Sequence, residues 1–135
     1  MLSQKSMSEF EKIVNNLVLL ENTDRLMYLL DLAKKNDNIS NKLKNDDTRI
    51  WGCVSESYLV VDEINPVVKI SVDSDAKFVE GLLFLLKLFV NGKTKDEILN
   101  IDEMELMNKI GMKNIVTSQR TNGFYAAITK LKESV

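Results

Sequence analysis

The spacing of apolar positions changes twice along this chain, separating helical ends from a short β-rich middle. Near the start, Phe10, Ile13, Val14, Leu17 and Leu20 recur at helical spacing and share one face. Ser6 with Glu9 makes a capping box, which predicts a helix over residues 6–20. Asn22-Thr23 breaks the pattern, and a second helix is predicted over 24–35, burying Leu26, Leu29, Leu30 and Ala33. Residues 36–47 are rich in Asn, Asp and Lys, which predicts a loop with one short helical turn around 39–43. The period then shortens. Tyr58-Leu59-Val60-Val61 and Val67-Val68-Lys69-Ile70-Ser71-Val72 read as strands joined by a turn at Asn65-Pro66. Thr48-Arg49-Ile50-Trp51 is predicted as a third strand, which puts Cys53 in the connection between the first two.

Helical spacing returns at residue 76. A strongly apolar helix is predicted over 76–90, with Asp73 or Ser74 capping its amides and Asp75 at the positive end of its dipole. Asn91-Gly92 stops it. Thr94 with Glu97 opens a short helix, another spans 102–109, and Gly111 ends that one. Thr117 or Ser118 starts a last helix through Leu131, with Phe124, Ala127, Ile128 and Leu131 facing inward. The sequence has no internal repeat or linker, so one domain over residues 1–135 is expected. The order α-α-β-β-β-α-α-α-α predicts an α+β fold, a small three-stranded antiparallel sheet packed with helices.

Composition narrows the chemistry. The chain has 135 residues, 44% of them hydrophobic, which is enough for one proper core. A formal charge of -2 with no basic block argues against a nucleic-acid surface. The first residues lack the apolar stretch of a secretion signal. Residues 78–90 are too few to cross a bilayer and are interrupted by Glu80, Gly81 and Lys87, so no membrane span is expected. The chain contains no histidine, which excludes imidazole bases and ligands. Its one cysteine, Cys53, cannot by itself form a disulfide, a zinc cage or a thiolate-ligated cluster, so neither a metal nor another cofactor is expected. A single thiol also suits a reducing compartment, and a cytoplasmic location is expected.

Cys53 sits in Arg49-Ile50-Trp51-Gly52-Cys53-Val54-Ser55-Glu56. A lone thiol either attacks another sulfur or packs in the core as a small hydrophobe, and spacing alone leaves both readings open. Gly52 permits a tight turn and close approach of another molecule, and Ser55 offers a hydroxyl to a sulfur anion. Asp73 and Asp75 read as a helix cap and a dipole partner, or as an acid–base or metal pair. Trp51 reads as packing or as a shield beside the thiol. Met104, Met107 and Met112 read as helix packing.

Three motifs stand in order: Trp51-Gly52-Cys53-Val54-Ser55, then Val72-Asp73-Ser74-Asp75-Ala76 with Gly81-Leu82, then Arg120-Thr121-Asn122-Gly123-Phe124. With Asp24-Arg25-Leu26-Met27-Tyr28-Leu29-Leu30-Asp31-Leu32 upstream, they resemble the SufE family over most of the chain. The resemblance implies a sulfur-acceptor protein that takes persulfide sulfur from a pyridoxal-phosphate cysteine desulfurase (SufS-like) and stimulates it. It further implies relay to an iron–sulfur scaffold complex (SufBCD-like). Cys53 matches the accepting cysteine. Gly52 and Ser55 would support its loop, and Trp51, Asp73, Asp75 and Arg120 would support the site or the docking. An alternative is a non-transferring adaptor of a desulfurase, or delivery to another thiolation pathway. A cluster scaffold would need more ligands than one cysteine supplies.

The chain departs from the family pattern in places. The Val-Trp pair after the cysteine is Ser57-Tyr58, the asparagine before the Gly-Cys pair is Thr48, and Gln119 precedes Arg120 where serine is common. Ala33 replaces a glycine at the end of the second helix. These changes leave the accepting sulfur in place and bear on loop support and partner preference.

Overall fold

The computed structural model describes residues 8–53, 55–111 and 118–135, the side chains of 118–121 excepted. The first helix, α1, spans Glu9–Leu17. Its capping box is Ser8 with Glu11: Ser8 Oγ accepts the Glu11 amide at 3.1 Å and the Glu11 carboxylate accepts the Ser8 amide at 3.4 Å. The pattern occurs twice in succession in this sequence, and the second copy is the cap; Ser6 lies outside the described residues. The helix stops at Leu17, three residues short of the prediction. Arg25 gives the reason, because its guanidinium collects the carbonyls of Val18, Leu20 and Gly111 and turns the chain there. Phe10, Ile13, Val14 and Leu17 are buried as their spacing requires.

Helix α2, Asn22–Ala33, lies against α3, Lys77–Val90. Gly81 makes that packing possible, since a Cβ there would run into the backbone carbonyl of Leu29. The polar segment after α2 holds one 3₁₀ turn, Asn41–Leu43, with Ser40 capping it.

Strands β1, Ser57–Glu63, and β2, Lys69–Ser74, pair antiparallel with Leu59 opposite Val72 and Ser57 opposite Ser74. The Asn65–Pro66 peptide in the turn is cis. Among the described residues the sheet has two strands, not the three predicted. The segment at 48–51 contributes a single bridge, Arg49 to Tyr58, closed by Ile50 N–H to Ser57 O and Leu59 N–H to Thr48 O, each at 2.8 Å. Pairing cannot extend either way. Thr48 is held in a turn by Asn45 and the Leu43 carbonyl, and Gly52, at φ 92, bends the chain away after Trp51.

The apolar helix also corrects the expected cap. Ala76 occupies the N-cap position of α3 and makes no side-chain cap bond, because Asp73 and Ser74 are still strand residues of β2. Helix α4, Lys95–Leu99, has the predicted Thr94–Glu97 capping box, and α5, Glu103–Lys109, is capped by Asp102. Helix α6, Ser118–Ser134, buries Phe124, Ala127, Ile128 and Leu131. It packs on β1 and α3, while α3 covers β2. The result is an α+β arrangement whose core side chains form one cluster drawn from helices α1 to α6 and the sheet. Met107 is buried in it and Met104 is exposed; Met112 lies outside the described residues.

Candidate functional site

The loop between the Arg49 bridge and β1 carries Cys53 to the junction of the sheet with α6. Its side chain is half-buried against the core edge. The sulfur lies 3.1 Å from Ser55 Oγ and 3.4 Å from Ser57 Oγ. Those two hydroxyls are 3.0 Å apart, and Ser57 Oγ donates to Ser74 Oγ at 2.8 Å. Ser74 Oγ in turn donates to Ser55 Oγ at 3.3 Å and accepts the Ala76 amide at 3.2 Å. Three serines and one thiol thus share a corner. Strand geometry produces the corner: Ser55 and Ser57 are two apart at the strand entry, and antiparallel register sets Ser74 opposite Ser57.

Helix α6 closes the other side. A Cβ at Gly123 would fall 2.8 Å from the Cys53 sulfur, closer than any side chain tolerates, so only glycine leaves the sulfur its place. Gly52 brings the loop close to α6 as well, its Cβ position being 3.6 Å from that of Ala126.

The remaining expected site residues divide. Asp75 is joined to the cysteine loop, its carboxylate accepting the Glu56 amide and its own amide donating to the Glu56 carbonyl, both at 3.1 Å. It fastens the loop to the start of α3, one residue before the N-cap Ala76. Asp73 faces elsewhere. Its carboxylate accepts the Ile39 amide at 3.0 Å and the Ser74 amide at 2.9 Å, and pairs with Lys44 at 3.0 Å. Asp73 and Asp75 therefore form no acid–base pair. Trp51 is 61% exposed rather than packed, with its indole N–H on the Asp46 carbonyl at 3.2 Å and the Arg49 guanidinium 4.9 Å from its ring centre. Arg120 falls on α6 one turn before Gly123, but its side chain lies outside the described residues. No three Cys, Asp or Glu side chains among the described residues converge to hold a metal ion.

Sequence reasoning names Cys53, Gly52 and Ser55 and assigns no site role to Ser57, Ser74 or Gly123. Ser57 has a signal, a hydroxyl at a strand position where an aliphatic residue is expected. Ser74 reads as a helix cap, and Gly123 stands in its motif without a role.

The SufE family model, described as an Fe-S metabolism associated domain, matches residues 11–135. This chain belongs to the SufE family. An uncharacterized SufE-like protein of Rhizobium etli is 30% identical over 132 residues, covering 94% of this chain and 89% of that protein. A second, from Rhizobium meliloti, is 28% identical over 131 residues, covering 93% and 94%. The solution structure of a hypothetical protein from Thermus thermophilus has the same fold, with a TM-score of 0.74 at 18% identity, covering 92% of this chain and 90% of that one. SufE membership ties the chain to Fe–S metabolism. No described helix is long and apolar enough to cross a membrane.

Proposed function

We propose that Cys53 accepts a sulfur atom from the persulfide of a cysteine desulfurase and passes it on toward iron–sulfur cluster assembly. The observation that carries this reading is the seat of the sulfur: a half-buried lone thiol, faced by serine hydroxyls and kept clear by Gly123. In the step, the Cys53 thiolate attacks the outer sulfur of the desulfurase persulfide. A new S–S bond forms on Cys53, the old S–S bond breaks, and the desulfurase cysteine departs as a thiolate ready for another cycle. The exchange needs no external oxidant, metal or imidazole, in keeping with a chain that has no histidine.

Each neighbour then has a role. Gly123 gives the sulfur its space beside α6, and Gly52, at φ 92, turns the loop that presents it. Ser55 shares a hydrogen bond with the sulfur, and Asp75 ties down the same loop. Trp51, exposed two residues from Cys53, is read as a contact for the desulfurase that delivers sulfur, and Arg120 is assigned to docking on its motif alone. Asp73 fastens the segment at 36–47 to the end of β2 and does not touch the sulfur. The chain acts as one sulfur-acceptor unit in the cytoplasm, stimulates a SufS-like desulfurase and hands sulfur to a SufBCD-like scaffold complex.

Intact-mass measurement after incubation with a desulfurase and cysteine tests the reading. One added sulfur is expected on the wild-type chain, mapped to Cys53 and released by a thiol reductant, and none on Cys53→Ser. Stimulation of the desulfurase that survives in Cys53→Ser, with no adduct on the wild type, would replace the relay with a non-transferring adaptor.

A further inference from the structure

We propose that Ser57 is a second anion-holding hydroxyl for the Cys53 sulfur, so that two serines, rather than one, stabilise the ionised thiol. The proposal rests on the reading of Cys53 as a sulfur acceptor and adds the group that keeps the acceptor charged. Ser57 is fully buried, and its oxygen touches Cys53, Ser55 and Ser74 at 3.4, 3.0 and 2.8 Å. A buried hydroxyl at the first residue of a strand gives up the apolar burial that a valine would contribute there. It is retained with a partner for its proton in both charge states of the sulfur.

The protons can be followed one at a time. In the neutral state the thiol donates to Ser57, Ser57 to Ser74, Ser74 to Ser55, and Ser55 back to the sulfur. That closed circuit gives every group one bond offered and at least one received, Ser74 receiving the Ala76 amide as well. When the thiol proton leaves to water, Ser57 turns its O–H from Ser74 to the sulfur. The anion then receives two hydroxyls, while Ser74 keeps the Ala76 amide as donor and still donates to Ser55. Hydrogen bonds to a charged acceptor are the stronger kind, so this rearrangement favours the thiolate over the thiol. Charge sits on this atom twice in the relay. It is there when the thiolate attacks the incoming persulfide, and again when the outer sulfur leaves for the next acceptor and the breaking bond returns its electron pair to Cys53.

Iodoacetamide alkylation of Cys53 in the full chain, followed from about pH 6 to about pH 10, tests the role without any desulfurase. Ser57→Val and Ser57→Ala are each expected to react about three- to tenfold more slowly near neutral pH, with the gap closing at the alkaline end where the thiol ionises unaided. Ser57→Thr keeps the hydroxyl and is expected within about twofold of wild type throughout. Profiles of the Val and Ala variants that superimpose on wild type overturn the proposal. So does a deficit of equal size at every pH, which marks altered access rather than altered ionisation. Valine fills the space and alanine empties it, so a loss shared by both follows the hydroxyl; if the valine variant does not fold, the alanine variant decides. A wild-type chain that gains no sulfur from a desulfurase defeats the relay reading, and these profiles still decide what Ser57 does to the thiol.

Discussion

Asp73 and Ser74 are neighbours at the end of β2, yet they face opposite sides of the strand and serve opposite purposes. Ser74 turns toward the sulfur and joins a set of neutral hydroxyls. Asp73 turns toward the segment after α2, where it holds Lys44 and the Ile39 amide. The same side of the molecule carries Asn36, whose amide group bridges the Val72 carbonyl and the buried carboxylate of Glu80. Charge there fastens a polar loop to the sheet. A carboxylate turned the other way would oppose ionisation of the thiol, whereas a hydroxyl favours it. Strand alternation thus separates a structural anion from the hydroxyls around the sulfur by a single residue.

The sharpest test of that separation is Asp73→Ala, which strands two buried amides and the Lys44 ammonium together. A loss of roughly 2–4 kcal/mol in urea unfolding is expected, with native Cys53 alkylated at the wild-type rate. Accelerated alkylation at neutral pH would mean that Asp73 acts on the sulfur, and the two faces would no longer be independent.

Gly123→Ala probes the sulfur side by volume instead of charge. The added methyl would lie 2.8 Å from the sulfur, so the loop or α6 has to give way. Unfolding measurements should show a loss of about 1–3 kcal/mol. Alkylation should slow by about tenfold at every pH, because access changes while the hydroxyls remain. A deficit confined to neutral pH would instead place Gly123 in the ionisation of the thiol.

Trp51→Ala should do less to the chain itself and more to its encounter with a desulfurase. The ring is exposed and makes one backbone hydrogen bond, so stability should move by about 1 kcal/mol or less. Stimulation of the desulfurase should fall several-fold while iodoacetamide, which needs no docking surface, reacts as before. Unchanged stimulation would remove Trp51 from the partner-facing surface and leave it a loop anchor through Asp46.

These contrasts also show what is readable from residue order. Helices α1 and α6 are legible because burial of Phe10, Ile13, Val14 and Leu17, or of Phe124, Ala127, Ile128 and Leu131, follows a local period. Cys53 with Gly52 is picked out as a candidate because chemistry-bearing residue types are few in this chain. The third strand fails because pairing depends on what holds Thr48 and where Gly52 turns, neither of which a propensity records. The serine corner and Gly123 are hidden for a related reason. They meet the sulfur only through antiparallel register and through a helix near the far end of the chain, contacts that no local pattern encodes. Asp73 misleads because a carboxylate just before a helix reads as a cap, until the preceding strand is known to run through Ser74.

The smallest effect is expected far from both faces of β2, at the tether of the helix that carries Gly123. Lys132 of α6 reaches the Ile101 carbonyl at 2.6 Å and the Glu103 carboxylate at 2.9 Å. The Lys132 hydrogen bond, with help from Glu103's own amide, holds that carboxyl below its ordinary value of 4.5 despite partial burial. A carboxylate with a lowered folded value stabilises the fold fully above the unfolded value, and the contribution fades as pH falls through the folded one. Glu103→Gln should therefore cost less than about 1 kcal/mol at neutral pH, since the pair is solvent-exposed in part and screened by salt. The difference from wild type should stay flat down to the ordinary carboxylate value and shrink below it, as the wild-type carboxyl takes up its proton. Urea unfolding at several pH values measures this, and a difference that widens toward acid would mean Glu103 is strained by its neighbours rather than held by them. Alkylation of Cys53 should ignore the substitution, because the tether grips α6 well beyond Gly123 and the sulfur's own contacts lie with the serines.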